Sequence, residues 1–324
     1  MRCGLPDAPA RIAITGAAGF LGTGTVSALA ARPATELIVA LDIRPGPVNG
    51  DRARVRHITR DISLPIDDLL LENRIDTVIH LAYMLRTNRN KAQAWHMNVR
   101  ATETLLASCA KAGVGHVIYL SSTTVYGANK MYRRPYVETD ASNPVLGFQY
   151  SEQKAEAERL LLQFAAGDDS RAVTILRGCV VMAAGADNFI AQALGRRVLP
   201  APAGADPELQ FLHVSDYASA VLAVLEAKAR GIYNIAGRGT VRWREMAALS
   251  GAHLVPVPPS ILTAAVEVAW RLRLQNQSPA CGLNFIHYPW LASTEKIESD
   301  LGWQPTLTSL AALGEWAESR RDGI

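Results

Sequence analysis

The stretch RIAITGAAGFLGTG (residues 11–24) places glycines at 16, 19, 22 and 24 directly behind a short β-branched run. Glycine inside a helix costs about 1 kcal/mol relative to alanine, so this density needs a physical reason. Gly16-x-x-Gly19-x-x-Gly22 stands where a first strand turns into a first helix. The first glycine permits the tight turn, the second lets phosphate oxygens reach the backbone, and the third lets the helix pack on the strand. The helix N-terminus adds amide donors and the positive end of its dipole. From 24 glycines in 324 residues, chance supplies about 0.13 such spacings, so the surroundings must decide the matter.

The surroundings are those of a parallel sheet. RIAIT (11–15), ELIVALD (36–42), VRHITRD (55–61), DTVIHLA (76–82), HVIYLSS (116–122) and AVTILRG (172–178) are short and apolar on both faces, as central strands buried between helices are. Helical patterns fall between them at 20–31, 66–73, 90–112 and 146–166. The order predicts an α/β fold, a doubly wound parallel (Rossmann) sheet, over residues 1–178. Beyond 178 the rhythm changes to several helical segments, which predicts a smaller, mostly helical C-terminal substrate lobe over 179–324. GIYNIA (231–236) reads as a strand returning to the sheet, and the prolines and glycines of 195–207 as a mobile connection. A ligand is expected in the crevice at the carboxyl ends of the strands.

Asp42 ends the second strand, 20 residues after Gly22, where a carboxylate accepts hydrogen bonds from ribose hydroxyls and repels a 2′-phosphate. Arg44, two residues on, borders the same site and is read as a surface arginine. The expected visitor is therefore a dinucleotide pyrophosphate, that of NAD rather than NADP.

Composition bounds the remaining classes. Nearly half of the 324 residues are apolar and the net charge is only +3, so neither nucleic acid nor an anionic membrane is called for. Cys3, Cys109, Cys179 and Cys281 lie far apart, with no metal-ligand spacing, and suit a reducing compartment. The opening MRCGLPDAPA has no apolar signal-peptide core, and ILTAAVEVAW is too short to span a bilayer. A cytoplasmic protein without a metal is expected.

YSEQK places Tyr150 and Lys154 four residues apart on one helix face. A phenol near pKa 10 is a poor base at neutral pH. A neighbouring ammonium and a positive nicotinamide favour the phenolate and bring it into range. YLSSTTVYG (119–127) ends the fifth strand, so Ser122 is expected to hydrogen-bond a substrate oxygen and hold it against Tyr150. His80 and His213 are read as structural.

Taken together, TGAAGFLG, Asp42, RDI (60–62), HLA (80–82), LSSTTVYG, YSEQK, FLHVSDYASAV (211–221) and YNIAG (233–237) resemble the extended short-chain dehydrogenase/reductases. More narrowly, they resemble the NAD-dependent epimerase/dehydratase family, in order over most of residues 11–305. The resemblance implies that Phe20 and Leu21 belong to the coenzyme loop and that Asp61 and Ile62 flank the adenine. It implies that Leu81 and Ala82 pass beside the coenzyme, and that Lys154 also holds the nicotinamide ribose. It further implies a homodimer through the helices at 90–112 and 146–166.

Three departures shape the expected reaction. Sugar-nucleotide 4,6-dehydratases of this family carry an Asp-Glu pair where Thr123 and Thr124 stand, so water elimination is not expected. Thr123 remains a substrate-side candidate. An asparagine usual after the sixth strand is replaced by the neighbourhood of Cys179, although Asn188 matches a second one that touches the nucleotide diphosphate in relatives. Two arginines expected to grip that diphosphate are absent, where PELQFLHV and FIHYPWLAST stand. Arg196, Arg197, Arg271 and Arg273 are candidates to replace them. Three functions follow: an epimerase or dehydrogenase of a nucleotide sugar, a dehydrogenase/reductase of a hydrophobic hydroxy or keto compound, or a non-catalytic NAD-binding scaffold.

Overall fold

The computed structural model describes residues 10–46, 54–84, 90–275 and 277–322. Cys3 and the middle of the basic stretch between Arg44 and Arg60 lie outside them. The first half runs β1 (Ala10–Thr15), α1 (Phe20–Ala30), β2 (Thr35–Asp42), β3 (Val55–Thr59), α2 (Asp67–Glu72), β4 (Thr77–His80), α3 (Lys91–Trp95), α4 (Ala101–Ala112), β5 (His116–Ser122), α5 (Gln149–Ala166) and β6 (Ala172–Gly178). A π-helical turn (His96–Arg100) joins α3 to α4, and a 3-10 turn (Thr123–Tyr126) follows β5. The second half runs β7 (Val180–Met182), α6 (Phe189–Leu194), β8 (Val198–Pro202), β9 (Glu208–Leu209), β10 (Phe211–His213), α7 (Val214–Glu226), β11 (Gly231–Ile235), β12 (Val241–Arg242), α8 (Trp243–Ser250), β13 (His253–Val257), α9 (Pro259–Arg271), α10 (Asn284–His287), α11 (Glu295–Leu301) and α12 (Ser309–Arg321).

Seven parallel strands form the main sheet in the order β11-β6-β5-β4-β1-β2-β3. Alternation along the strands fills both faces: Ile12 and Ile14 pack with Leu29 of α1 and Val221 of α7, while Ala13 joins Leu70, Leu105 and Leu161 on the other side. The strand order reverses between β1 and β4, which opens a crevice there. Register pairs Thr15 with both Leu41 and His80. β5 continues three residues past its pairing with β4, carrying Leu120, Ser121 and Ser122 to the rim.

The second core gathers Met182, Ile190, Leu199, Phe211, Trp243, Trp290 and Trp316. The lobe is mostly helical, as expected, and three two-stranded ladders, β7–β10, β9–β12 and β8–β13, run between its helices. One expectation is corrected. The 195–207 segment, expected as a mobile connection, holds β8, paired in parallel with β13 from Val198–His253 to Pro202–Val257. Pro200 and Pro202, two residues apart, put both missing N–H groups on the unpaired edge, so the ladder survives them.

Candidate active site

The coenzyme loop is shaped first by the chain itself. Gly16 has φ +73°, and a Cβ there would sit 2.7 Å from the Ala82 Cα and N. A Cβ at Gly22 would run into the Gly16 carbonyl oxygen and Ala17. Gly19, at the N-terminus of α1, donates its N–H to Gly16 O at 3.0 Å, and a Cβ there would lie 3.1 Å from the same oxygen, a milder approach than at Gly16 or Gly22. No side chain caps α1 there, so the first N–H groups of the helix are left for an anionic pyrophosphate. The fourth glycine has another cause: Gly24 lies against Val214 of α7, a helix-packing contact.

Asp42 closes the far side. Its carboxylate accepts from Ala18 N and Arg44 N, each at 3.0 Å, which leaves acceptor sites for ribose hydroxyls. Arg44 is exposed, as read from the sequence, and lies along the loop, donating to Ala18 O at 3.0 Å. Phe20 is exposed and Leu21 partly buried at the start of α1. Asp61 accepts from Ser63 N, while Ile62 turns into the core beside Ile66 and Leu70. Leu81 N donates to Thr15 O and Ala82 N to Thr15 Oγ1.

A buried hydrogen-bond chain fixes that strand end. Thr102 donates to Asn98 O and so accepts from His80 Nε2, while His80 Nδ1 receives the Thr15 hydroxyl at 2.7 Å. Burial pushes the His80 pKa down to about 3, so the ring is neutral and structural, as expected.

The catalytic candidates converge. Tyr150 and Lys154 lie in the first turns of α5, which begins at Gln149 rather than at 146, because a turn closed by Phe148 N on Val145 O precedes it. Ser122 faces the Tyr150 phenol and favours its ionised form, yet removal from water outweighs this and raises the Tyr150 pKa. The expectation that the Lys154 ammonium lowers it is therefore not met by the protein's own groups. Lys154 is itself buried, its Nζ donating to Leu120 O at 2.6 Å, and burial pushes its pKa down to about 7 against the pull of Glu158.

Two substrate-side candidates have partners within the fold. Thr123 is fully enclosed in the 3-10 turn, its hydroxyl directed at Gly178 O. Asn188 caps α6: its Oδ1 accepts from Ile190 N and Ala191 N, and its Nδ2 donates to Val181 O. Arg271 pairs with Glu267 on its own helix. His213 links β10 to α12 through Glu315 at 2.9 Å, a structural part as expected.

Sequence reasoning missed a second buried layer. Gln153 Oε1 accepts from Tyr83 OH and Asn98 Nδ2, and Asn98 Oδ1 accepts from Met84 N. Asn98 is buried within the π-helical turn itself, a turn type frequent at functional sites. Arg177 and Glu158 form a buried ion pair, joined by the Ser121 hydroxyl. The available signal was a polar residue at a core-facing helical or strand position. A cleft of about 650 Å³ lies in the lobe between Tyr132, Arg134, Glu208, Arg242 and Tyr288, away from Tyr150. Its Arg134 is held by Asp140 and its Arg242 by Glu208. Among the described residues no cluster of metal-ligating side chains and no helix long and apolar enough to cross a membrane is present.

The uncharacterized protein Rv0501 of Mycobacterium tuberculosis is 26% identical over 322 residues, covering 97% of this chain and 85% of its own. A UDP-glucose 4-epimerase of Azospirillum brasilense is 29% identical over 252 residues, 68% of this chain and 70% of its own. The solved structure of MoeE5 in complex with UDP-glucuronic acid and NAD matches with TM-score 0.75 at 27% identity, over 97% of this chain and all of that one. Residues 12–236 match the NAD dependent epimerase/dehydratase family, and the chain belongs to that family as an NAD-dependent enzyme.

Proposed function

We propose that this chain is an epimerase or dehydrogenase acting at a secondary alcohol or ketone carbon of a nucleotide sugar, with Tyr150 as the acid/base. What supports the reading is that Ser122 faces the Tyr150 phenol and that Tyr150 and Lys154 both pack on Tyr83, which follows the crevice residues Leu81 and Ala82. Ser122 holds the substrate oxygen, and Tyr150 takes the hydroxyl proton and gives it back. Lys154 places a cation behind the phenol and beside the nicotinamide ribose. Gly16, Gly19, Gly22, Phe20, Leu21, Asp42, Arg44, Asp61, Ile62, Leu81 and Ala82 would hold NAD, which supplies hydride acceptance and return at the carbinol carbon. Thr123 and Thr124 bring hydroxyls and no carboxylate after Ser122, so water elimination is left without its acid and base. Residues 179–324 form the substrate lobe, and α4 with α5 form a homodimer face on which Leu162 stands exposed. The setting is cytoplasmic.

One observation favours the second reading, a hydrophobic hydroxy or keto substrate. Arg134 and Arg242 of the lobe cleft are paired with Asp140 and Glu208, and Asn188 Nδ2 already donates to Val181 O and Met182 Sδ. Thermal-shift screening with NAD, of UDP- and dTDP-sugars against lipophilic alcohols and ketones, separates the two, since a bound ligand raises the melting temperature. Stabilisation by nucleotide sugars alone is expected; a response confined to lipophilic ketones reverses the choice. NAD retained through purification marks an epimerase, which regenerates its coenzyme in place.

A further inference from the structure

Tyr83 follows directly after the crevice residues Leu81 and Ala82, and its ring touches both members of the Tyr-Lys pair. The Tyr83 and Tyr150 rings meet edge to face, with centroids 5.2 Å apart and planes at 81°. The Lys154 Nζ lies 4.3 Å from the Tyr83 ring centroid and 4.7 Å from that of Tyr119. The Tyr83 hydroxyl is pinned at 2.9 Å on Gln153 Oε1, which also holds Asn98. We propose that Tyr83 is a positioning residue: its ring face keeps the Lys154 ammonium, and its ring edge the Tyr150 phenol, in one working arrangement.

The physical case rests on what surrounds a buried cation. Lys154 is 3% exposed and has one carbonyl, Leu120 O, as its hydrogen-bond acceptor within the fold. The groups facing it are Tyr83, Tyr119, the neutral His80, and the Glu158 carboxylate one turn along α5, with Tyr150 one turn back on the same helix. Glu158 is already bound by Arg177 and Ser121, which reduces what it offers the lysine. The negative faces of two tyrosine rings then supply the remaining attraction for the positive form, and such attraction strengthens when the cation is desolvated. Tyr119 is fixed in the core by β5. Tyr83 is the wall that also reaches the phenol, so it ties the charge of the amine to the orientation of the acid/base. The catalytic consequence rests on the Tyr150 reading above; the electrostatic one does not.

Direct titration of Lys154 separates the two. Protein labelled with ¹³C at the lysine ε-carbons carries six such residues, and the Lys154 signal is the one missing from Lys154→Arg. The wild-type midpoint is expected near 7. Tyr83→Leu, which removes the ring, is expected to lower it by about one unit, tenfold in the protonation ratio. Tyr83→Phe, which keeps the ring and loses only the hydroxyl, is expected to stay within about 0.3 unit. Should Tyr83→Leu not fold, Tyr83→Met is read in the same way. Equal midpoints for wild type and the ringless variant, or a Phe variant that moves as far as Leu, overturn the proposal without touching the function assigned to Tyr150. With a turned-over substrate, the deficit of Tyr83→Leu is expected to widen as pH rises through 7, because the unprotonated amine accumulates earlier. A deficit that stays constant across pH denies Tyr83 this role.

Discussion

On the sheet side of the crevice, a Cβ added at Gly16 would meet Ala82 at 2.7 Å, and one at Gly22 would meet the backbone of its own loop. On the lobe side, Gly185, Gly204, Gly239 and Gly251 would meet nothing within 4 Å, and positive φ alone accounts for them. Two ion pairs show a matching contrast: Arg177 and Glu158 are each 4% exposed, whereas Arg242 and Glu208 at the lobe cleft are 61% and 36% exposed. At the glycine loop and β6, close backbone approach and buried charge set the structure; around the lobe cleft, local turns and solvated side chains do. The first region is built to hold a single geometry, and the second tolerates change.

The largest effect is expected at the chemistry. Tyr150→Phe should lower turnover by about 10² to 10⁴-fold while leaving NAD affinity within a small factor, because it removes the proton carrier and little of the binding surface. Kinetics with the substrate found by thermal shift, alongside NAD titration, checks both halves. Unimpaired turnover by the variant removes Tyr150 from the mechanism.

Next come the two ion pairs. Arg177→Met leaves the Glu158 carboxylate buried without its partner and should cost about 3–5 kcal/mol. Arg242→Ala should cost under about 1 kcal/mol, since water screens that pair. Urea denaturation of both variants decides it; similar losses would erase the distinction between the two regions. Among the glycines, Gly16→Ala combines the left-handed backbone with the collision on Ala82 and should destabilise by about 3 kcal/mol. Gly19→Ala should melt close to wild type and lose NAD affinity instead, because the added atom enters the space left for the pyrophosphate.

A pH effect has a definite sign. Burial lowers the Lys154 pKa from 10.5 to about 7 in the fold, so between these values the unfolded chain binds the extra proton. The contribution of Lys154 to stability therefore rises with pH from about 7 to 10.5 and is flat outside that window. In the absence of coenzyme, wild type should gain on Lys154→Met as pH climbs through this range. Parallel urea midpoints for the two proteins contradict the buried, desolvated placement of the amine.

The same division governs what could be read from the chain. The strands, the crevice and the Gly16–Gly22 loop were legible because each depends on spacing along a few residues, periodic apolar runs and a strand-to-helix turn. Tyr150 and Lys154 were legible because one helix face carries both. What stayed hidden depends on contacts across long separations. Tyr83 meets Gln153 seventy residues away and Asn98 meets it across fifty-five, and neither spacing leaves a local signature. β8 was hidden for another reason: its prolines read as breakers, and only its partner β13, far along the chain, turns them into an edge.

Asn188 gives the smallest effect and the finest test of the division. As a relative of a diphosphate-contacting asparagine it belongs to the substrate; as placed, its side chain caps α6 and braces β7. Asn188→Ala should cost about 1 kcal/mol through the lost cap, and Asn188→Ser, which keeps an accepting oxygen at that position, should recover most of it. The serine variant lacks the Nδ2 hydrogen that a phosphate would accept. If its affinity for a nucleoside diphosphate in calorimetry stays near that of wild type, Asn188 belongs with the locally determined lobe. A tenfold loss in the serine variant, at unchanged melting temperature, instead moves this residue to the ligand side and strengthens the nucleotide-sugar reading over the lipophilic one.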